Sequence, residues 1–404
     1  MTPDLQVERN RLWARLDRAV SALTDRPTPI AVVDLDAFDA NADDLARRAS
    51  GTPIRVASKS LRVPALIERA LAHPGFAGVL AFTLREALWL HAEGVSDDLL
   101  VAYPSVDRAA LARLTRDPAA AACITVMVDD VAHLDLLDAS RTGDAEVRVA
   151  LDVDAALRLA GAHVGPRRSP LHDVDDVVAL ARTVAARRGV RLVGVMSYEG
   201  QVAGLPDSLP TQRARSAVVR RIKSASVRQL ARRRSAIAEA LAPVADLEFW
   251  NAGGSGSLET SAADGAVTEL AAGSGLLVPG LFDHYRAFSP RPAAFFGLPV
   301  TRRPSEGVVT VHGGGLVASG PPGADRAPLP WAPAGLTLTA TEGAGEVQTP
   351  LTGHPASSLA IGDLVWFRHA KSGELFEHVR TTHLLSGDSL VGEVPSYRGA
   401  GQAF

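Results

Sequence analysis

Three lysines occur in the 404-residue chain, and one of them directly follows an apolar run that is typical of a buried β-strand. This residue is Lys59, which comes after the strand-like segment Ile54–Ser58. A lysine at the end of a buried strand loses hydration, which favours the neutral amine, and the neutral amine is the form that attacks a carbonyl. Lys59 is therefore a candidate for forming a Schiff base, and a solvated loop lysine is the alternative.

A loop rich in glycine and serine supplies a second candidate site. It runs from Asn251 to Ser257 and includes Gly253, Gly254 and Ser255. Glycines without side chains let backbone N–H groups converge on an anion, so such a loop can hold a phosphate. An ordinary turn is the alternative interpretation.

A second glycine–serine pair, Gly273 and Ser274, can lie on the other side of the phosphate, so that the two segments together form a glycine–serine cup. Phosphate sites of βα barrels commonly use the loops after the last two strands. Pyridoxal 5′-phosphate suits both features, because its aldehyde can react with the lysine and its phosphate can bind in the cup. The residues therefore predict pyridoxal 5′-phosphate.

The segments that must position these residues alternate between short β-branched runs and amphipathic helical patterns from residue 28 to 288. This alternation indicates parallel strands joined by crossover helices, and an α/β fold built as a (βα)8 TIM barrel of about 250 residues. Residues 1–27 predict a helical extension, and residues 289–404, which are dense in Pro and Gly, predict a separate C-terminal antiparallel β-domain. The eight predicted barrel strands are Ile30–Leu35, Ile54–Ser58, Gly78–Phe82, Leu99–Tyr103, Ile124–Val128, Val147–Val153, Arg191–Ser197 and Leu247–Trp250.

Charge and composition exclude several classes of protein. The formal net charge is −3, so nothing in it indicates a nucleic-acid partner or an anionic membrane surface. No apolar run reaches the roughly 18 residues of a membrane span, and the first residues lack the pattern of a secretion signal. A single cysteine, Cys123, excludes an internal disulfide and suits a cytoplasmic location. The arginine-rich segment 211–241, which contains Lys223, is interpreted as a solvated outer helix.

Several motifs together resemble a known enzyme family. They are the runs 28–37 and 55–60, the segment 194–200, the loop 251–257, and the short stretches 268–270 and 362–364. With this set the chain resembles the D-threonine aldolase and D-serine dehydratase family, which belongs with alanine racemase to the fold-type III pyridoxal-phosphate enzymes. The resemblance implies a small amino-acid substrate. It also implies a homodimer in which the β-domain of one subunit covers the barrel mouth of the other.

The resemblance also implies roles for individual residues. Lys59 matches the lysine that bonds to the cofactor and then acts on the substrate Cα proton. Arg158 resembles the arginine that approaches the cofactor ring, with a surface arginine at the start of a loop as the alternative. Tyr198 matches the tyrosine beside the cofactor, with a tyrosine that caps the core as the alternative. The other members of the predicted cofactor site are Asn251, Gly253, Gly254, Ser255, Gly273 and Ser274.

Two positions depart from the family near the cofactor. Gln201 stands where the aldolases usually have a histidine, so a base is missing there. Ala271 stands where relatives have an arginine, so a hydroxyl or a water must meet the pyridine nitrogen instead.

The metal site of the family is altered as well. The relatives hold a divalent ion with a histidine and, two residues later, a cysteine or aspartate, whereas this chain has His369 and Lys371. A protonated lysine cannot bind a metal. Either the ammonium of Lys371 takes the place of the ion, or other residues hold an ion, or Lys371 is an ordinary surface lysine beside a structural histidine. For the second alternative the candidates are Glu374, His378 and His383.

Three functions remain open on this basis. The leading one is a lyase acting on a β-hydroxy D-amino acid, by retro-aldol cleavage with His369 and Lys371 at the β-hydroxyl, or by dehydration with Lys59 removing the Cα proton. Racemisation would need a second base, for which Tyr285 and Tyr397 are candidates without a matching motif. A non-catalytic pyridoxal-phosphate carrier is the third, and the predicted β-domain argues against it because such carriers usually lack one.

Overall fold

The computed structural model describes residues 3–159, 161–287 and 291–404. The predicted boundary at residues 288 and 289 lies outside the described residues. The strands, in chain order, are β1 (Ile30–Asp34), β2 (Ile54–Ala57), β3 (Phe76–Ala81), β4 (Leu99–Val101), β5 (Ile124–Val128), β6 (Val147–Asp152), β7 (Leu157–Leu159), β8 (Ala162–Val164), β9 (Val190–Ser197), β10 (Phe249–Ala252), β11 (Glu269–Ala272), β12 (Ala294–Ser305), β13 (Val308–His312), β14 (Leu329–Ala332), β15 (Thr337–Leu338), β16 (Gln348–Thr352), β17 (Leu364–Arg368), β18 (Thr381–Ser386) and β19 (Ser389–Pro395).

The helices are joined to the strands by short loops, and several helices begin at an aspartate. The side chain of Asp34, for example, accepts hydrogen bonds from the backbone N–H groups of Asp36 and Ala37, which stabilises the first turn of α2. Asp107, Asp117 and Asp130 start three further helices in the same way. The helices are α1 (Pro3–Ser21), α2 (Leu35–Arg48), α3 (Pro64–Leu71), α4 (Leu84–Ala92), α5 (Arg108–Arg116), α6 (Pro118–Cys123), α7 (Val131–Ser140), α8 (Val174–Ala186), α9 (Gly200–Ala203), α10 (Arg213–Leu241), α11 (Leu258–Ala262) and α12 (Ser274–Leu277).

Eight parallel strands close into a barrel in the order β2, β3, β4, β5, β6, β9, β10, β11, which confirms the predicted barrel fold. These strands carry apolar side chains on both faces because one face fills the barrel and the other meets the surrounding helices. Leu100, Met127, Ala150, Val193 and Phe249 form the packed interior. The carboxyl ends of all eight strands therefore open at one mouth.

The prediction for the first barrel strand is wrong. β1 pairs antiparallel with β12 and parallel with β18, and so belongs to the sheet of the β-domain. The missing barrel strand is β11, which lies between β10 and β2. β1 is buried on both faces like a barrel strand, so its hydrophobic pattern alone cannot assign it to one sheet or the other. β11 was not predicted because it begins with the charged residue Glu269. This carboxylate is buried in the fold because it pairs with buried Arg55, at 2.7 Å.

The second sheet is formed mainly by the C-terminal part of the chain, as predicted, in the order β15, β16, β13, β12, β1, β18, β19. In addition, β17 pairs with β12, and β14 pairs with β17. Helix α1 packs on this sheet, because Leu16 and Val20 share a core with Phe295 and Trp366. The amino-terminal helix is thus fastened to the β-domain.

The arginine-rich helix α10 differs from its prediction as a solvated outer helix. Its buried positions recur every three to four residues and include Arg234, whose residue surface is 3% exposed. Lys223 is also partly buried, with its Nζ 3.3 Å from the Asp207 carboxylate. None of the helices in the described part of the chain combines the length and the apolarity needed to cross a bilayer.

Candidate active site

A cavity of about 400 Å³ lies at the barrel mouth, beneath the β-domain. This volume is within the range of small-molecule sites. Residues from most of the barrel strand ends and from two segments of the β-domain line it. They include Lys59, Ser60, Tyr103, Arg168, Met196, Tyr198, Arg215, Asn251, Gly253, Gly254, Ser255, Ala271, Gly273, Ser274, Tyr285, Asp325, Arg326 and Lys371.

Lys59 reaches this cavity from a single 3-10 turn, Ser58–Ser60, that follows β2. Its ammonium donates a hydrogen bond to the hydroxyl of Tyr103, with Nζ 2.9 Å from the phenolic oxygen. Burial alone would raise the pKa of Tyr103, but the positive charges of Lys59 and Arg168 outweigh burial and lower it. Lys59 and Tyr103 therefore form a pair between which a proton can pass.

Arg168 lies between two tyrosine rings of the cavity. Its guanidinium carbon is 5.6 Å from the ring centre of Tyr103 and 5.4 Å from that of Tyr198. Burial, and then the charge of Asp129, raise the pKa of the neighbouring Asp152 to about 7, and Arg168 opposes that rise. A cation over aromatic faces is held by their quadrupoles, so Arg168 is a fixed positive group on this wall.

The glycine–serine cup forms another part of the cavity wall. The cup consists of two loops that follow neighbouring strands. Gly253, Gly254 and Ser255 follow β10, and Gly273 and Ser274 follow β11. A Cβ on Gly273 would lie 2.5 Å from the carbonyl oxygen of Ala57, so only glycine lets the two strand ends approach. The hydroxyl oxygens of Ser60 and Ser274 are 3.0 Å apart, which brings a third strand end to the cup.

A buried ion pair supports the cup from below. Arg234 of α10 donates from Nη2 to the Glu199 carboxylate at 2.8 Å and from Nη1 to Asp264 at 3.1 Å. Glu199 in turn accepts from the backbone N–H of Gly253 at 3.3 Å and from the Ser257 hydroxyl at 2.9 Å. Burial opposes ionisation of Glu199, but Arg234 and the hydroxyl donors outweigh it and lower its pKa. The loop that would hold a phosphate is therefore fixed by a carboxylate.

The floor of the cavity is mixed in polarity. Asn251 donates to the Glu269 carboxylate at 2.9 Å, which fixes its amide. Met196 and Ala271 add apolar surface. Burial, and then the charge of Glu199, raise the pKa of Tyr198 to about 12, so this tyrosine stays protonated at neutral pH.

The structure brings together all the predicted site residues except Arg158 and His369. Arg158 lies on the β7–β8 hairpin, where it contacts Asp154 at 3.3 Å, and it does not line the cavity. His369 is 3% exposed and does not line it either. Burial, and then Arg368, lower the pKa of His369 to about 3. A direct role at the β-hydroxyl does not fit this placement of His369.

Sequence reasoning missed Tyr103 and Arg168. Tyr103 was recognised only as the end of a predicted strand, although the carboxyl end of a barrel strand is where reactive groups lie. Arg168 follows the β7–β8 hairpin, and no local pattern distinguishes it from Arg158 ten residues earlier. The fold alone decides which of the two arginines reaches the cavity.

The two tyrosines considered for racemisation are both engaged. Tyr285 lines the cavity, but its hydroxyl donates to the carbonyl oxygen of Ala203 at 3.0 Å. Tyr397 does not line the cavity, and its hydroxyl donates to buried Glu86 at 2.7 Å.

A parallel barrel with a lysine at a strand end, a glycine–serine cup and an antiparallel β-domain is the arrangement of the fold-type III pyridoxal-phosphate enzymes. Residues 33–277 match the family model described as alanine racemase, N-terminal domain, and the chain belongs to this family. The family is dependent on pyridoxal 5′-phosphate.

Curated relatives within it include the 3-hydroxy-D-aspartate aldolase of Paracoccus denitrificans (strain Pd 1222). It is 30% identical over 254 residues, which are 61% of this chain and 59% of the relative. A D-threonine aldolase of an Arthrobacter species is 30% identical over 257 residues, 63% and 62% of the two chains. The chain thus matches about three fifths of the length of these curated relatives.

The solved structure of D-threonine aldolase from Filomicrobium marinum superposes with a TM-score of 0.77 at 22% identity, covering 95% of this chain and 97% of that one.

Proposed function

We propose that the protein is a pyridoxal-phosphate-dependent lyase acting on a β-hydroxy D-amino acid. The observation that carries this is the meeting of Lys59, hydrogen-bonded to Tyr103, with a glycine–serine cup in one cavity. The curated relatives with aldolase names support the same reaction class.

The residues present fit the cofactor. Gly253, Gly254, Ser255, Gly273 and Ser274 would hold its phosphate, and Lys59 would bond to its aldehyde. Arg168 and Tyr198 would lie against its ring. When bound, pyridoxal 5′-phosphate accepts the electron pair that a broken bond at Cα leaves behind.

The Lys59–Tyr103 pair handles the protons. In retro-aldol cleavage the β-hydroxyl would lose its proton to the Lys59–Tyr103 pair, the Cα–Cβ bond would break, the β-carbon would leave as an aldehyde, and Cα would take up that proton to give glycine. In dehydration Lys59 would take the Cα proton, and the β-hydroxyl would leave as water by taking up that proton from the Lys59–Tyr103 pair. The enamine product then hydrolyses to a 2-oxo acid and ammonia.

Incubation of the cofactor-loaded protein with D-threonine, D-serine, 3-hydroxy-D-aspartate and D-alanine separates the possible reactions. Glycine with an aldehyde identifies an aldolase, and a 2-oxo acid with ammonia identifies a dehydratase. Loss of optical rotation without either product would identify a racemase instead, and no turnover of any substrate would contradict an enzymatic role toward these amino acids.

The cations on the cavity wall favour a substrate with an anionic β-substituent. Arg215 from α10 and Arg326 from the loop before β14 both line the cavity. The Arg326 side chain is held beside Asp325, with Nε 3.8 Å from the carboxylate. A guanidinium binds carboxylates well, and 3-hydroxy-D-aspartate carries a carboxylate on its β-carbon in addition to its α-carboxylate. This amino acid, which is named for one relative, therefore fits the wall better than D-threonine.

Arg326→Gln is expected to lower kcat/KM for 3-hydroxy-D-aspartate about 10- to 100-fold, because a hydrogen bond between charged groups is lost. The value for D-threonine should change less than about threefold, since its methyl group makes no such bond. Steady-state kinetics with both substrates tests this. Equal losses for the two would contradict recognition of a second carboxylate by Arg326.

We also propose that the protein works as a homodimer in the cytoplasm. Lys59 is exposed at the barrel mouth of the single chain, which is where a second subunit would cover the cavity. Sedimentation at a mass near 42.3 kDa, that of one chain, would contradict the dimer.

A further inference from the structure

We propose that Lys371 supplies, as a side-chain ammonium, the positive charge that the resembling enzymes obtain from a divalent ion, and that it binds the β-oxygen of the substrate. The inference rests on the proposed lyase function and names the group that acts at the β-carbon. Lys371 lines the same cavity as Lys59.

The residues around Lys371 do not form a ligand set for a divalent ion. Within the described ranges, no three His, Cys, Asp or Glu side chains lie together in a way that could hold a metal. A charged lysine has donors and no acceptor, so it cannot replace the cysteine or aspartate ligand of the family.

The alternative ligands considered from the sequence are dispersed. His383 lies on β18 within the β-domain sheet, paired with Val32, and His378 is exposed outside the cavity. Glu374 accepts hydrogen bonds from the backbone N–H of Ser319 at 2.9 and 3.1 Å. In the part of the chain that the structure describes, these three groups therefore do not form a ligand cluster for a metal ion.

The turn that carries Lys371 packs directly against the backbone of Lys59. Gly373 has φ +94°, and a Cβ added there would lie 2.0 Å from the carbonyl oxygen of Lys59. Ser372 donates from its hydroxyl toward the carbonyl of Ser274, with the oxygens 3.5 Å apart. The turn that carries Lys371 therefore contacts both the backbone of Lys59 and the glycine–serine cup.

His369 fits the same arrangement as a positioning residue. Its Nε2 is 3.1 Å from the Ser372 hydroxyl, and the imidazole is buried beneath the turn. Retention of this histidine is then explained by the shape of the turn rather than by a metal bond.

The ammonium of Lys371 is held while remaining accessible from the cavity. It donates to the Ser319 hydroxyl, and its Nζ is 3.7 Å from the Glu374 carboxylate. The side chain stays 45% exposed, so a substrate oxygen can reach the charge.

In either reaction the ammonium acts on the β-oxygen. During retro-aldol cleavage, negative charge develops on that oxygen as its proton passes to the Lys59–Tyr103 pair, and the Lys371 N–H bonds stabilise this charge until the C=O bond of the aldehyde has formed. During dehydration the same N–H bonds stabilise the departing oxygen as the Cβ–O bond breaks, until this oxygen takes up the proton that Lys59 removed from Cα and leaves as water. A fixed cation aimed at developing charge is worth about 10²- to 10³-fold in kcat.

The test uses the cofactor-loaded protein before and after dialysis against a chelator, together with Lys371→Met and Lys371→Arg. We expect the dialysed wild type to keep its lyase activity and to bind no stoichiometric Mn²⁺ by electron paramagnetic resonance. Lys371→Met should lose about 10²- to 10³-fold in kcat while it keeps the visible absorbance of bound cofactor and the spectral change on adding D-alanine. Lys371→Arg should retain more activity than Lys371→Met, because it keeps the charge.

Three outcomes would overturn the role of Lys371. They are activity that chelator removes and Mn²⁺ restores, stoichiometric Mn²⁺ bound by the active wild type, and unchanged kcat in Lys371→Met. Each would leave the lyase function standing. Wild-type protein that turns over none of the β-hydroxy amino acids would end both proposals.

Discussion

Lys59→Ala is expected to abolish the visible absorbance of protein-bound pyridoxal 5′-phosphate and to lower lyase turnover by at least about 10³-fold. The residue would hold the cofactor covalently and would exchange a proton with Tyr103, whose hydroxyl oxygen lies 2.9 Å from Nζ. Alanine removes both the bond-forming amine and the proton carrier. Absorbance spectra after reconstitution, with steady-state kinetics on the same preparation, measure the two effects.

Lys223→Ala is the matched control for this prediction. Lys223 is the lysine that does not line the cavity, and its Nζ pairs with Asp207 instead. The control should keep the absorbance of the bound cofactor. Equal losses in Lys59→Ala and Lys223→Ala would show that the reactive lysine has been assigned incorrectly.

Arg234→Met is expected to lower the free energy of unfolding by about 3–5 kcal/mol, because it leaves the carboxylates of Glu199 and Asp264 buried without their cation. It should also weaken cofactor binding, since Glu199 orients the loop at Gly253. Urea unfolding monitored by circular dichroism measures the first effect, and titration with pyridoxal 5′-phosphate measures the second.

The same helix offers a control for Arg234. Arg228 is exposed on α10, so Arg228→Met should change the free energy of unfolding by no more than about 0.5 kcal/mol. The double variant with Arg234→Met and Glu199→Gln should recover part of the lost stability, because the uncompensated charge is removed. If Arg234→Met were no more destabilising than Arg228→Met, the ion pair would not support the loop.

The barrel could be predicted from the sequence because its strands and helices alternate with clear periodicity. Periodicity did not identify all eight barrel strands, because β1 was predicted in the place of β11. Both segments are buried on two faces, and only tertiary pairing distinguishes a barrel strand from a strand of the neighbouring sheet. Glu269 made the true strand look polar, since its partner Arg55 is distant in sequence.

The candidate site was predictable where chemistry lies next to a strand end. Lys59 and the loop at Gly253 follow their strands directly, so local sequence placed them in the cavity. Arg168 was not predictable, because its position depends on the path of the β7–β8 hairpin. Arg234 was misread as solvated because the surrounding helix is rich in exposed arginines, and its carboxylate partners come from two other loops.

Borohydride reduction of the cofactor-loaded wild type, followed by peptide mass spectrometry, tests the central claim most directly. We expect a single pyridoxyl modification, on the peptide that contains Lys59. A modification confined to Lys223 or Lys371, or the absence of any pyridoxyl-lysine peptide after reduction, would contradict the assignment of Lys59.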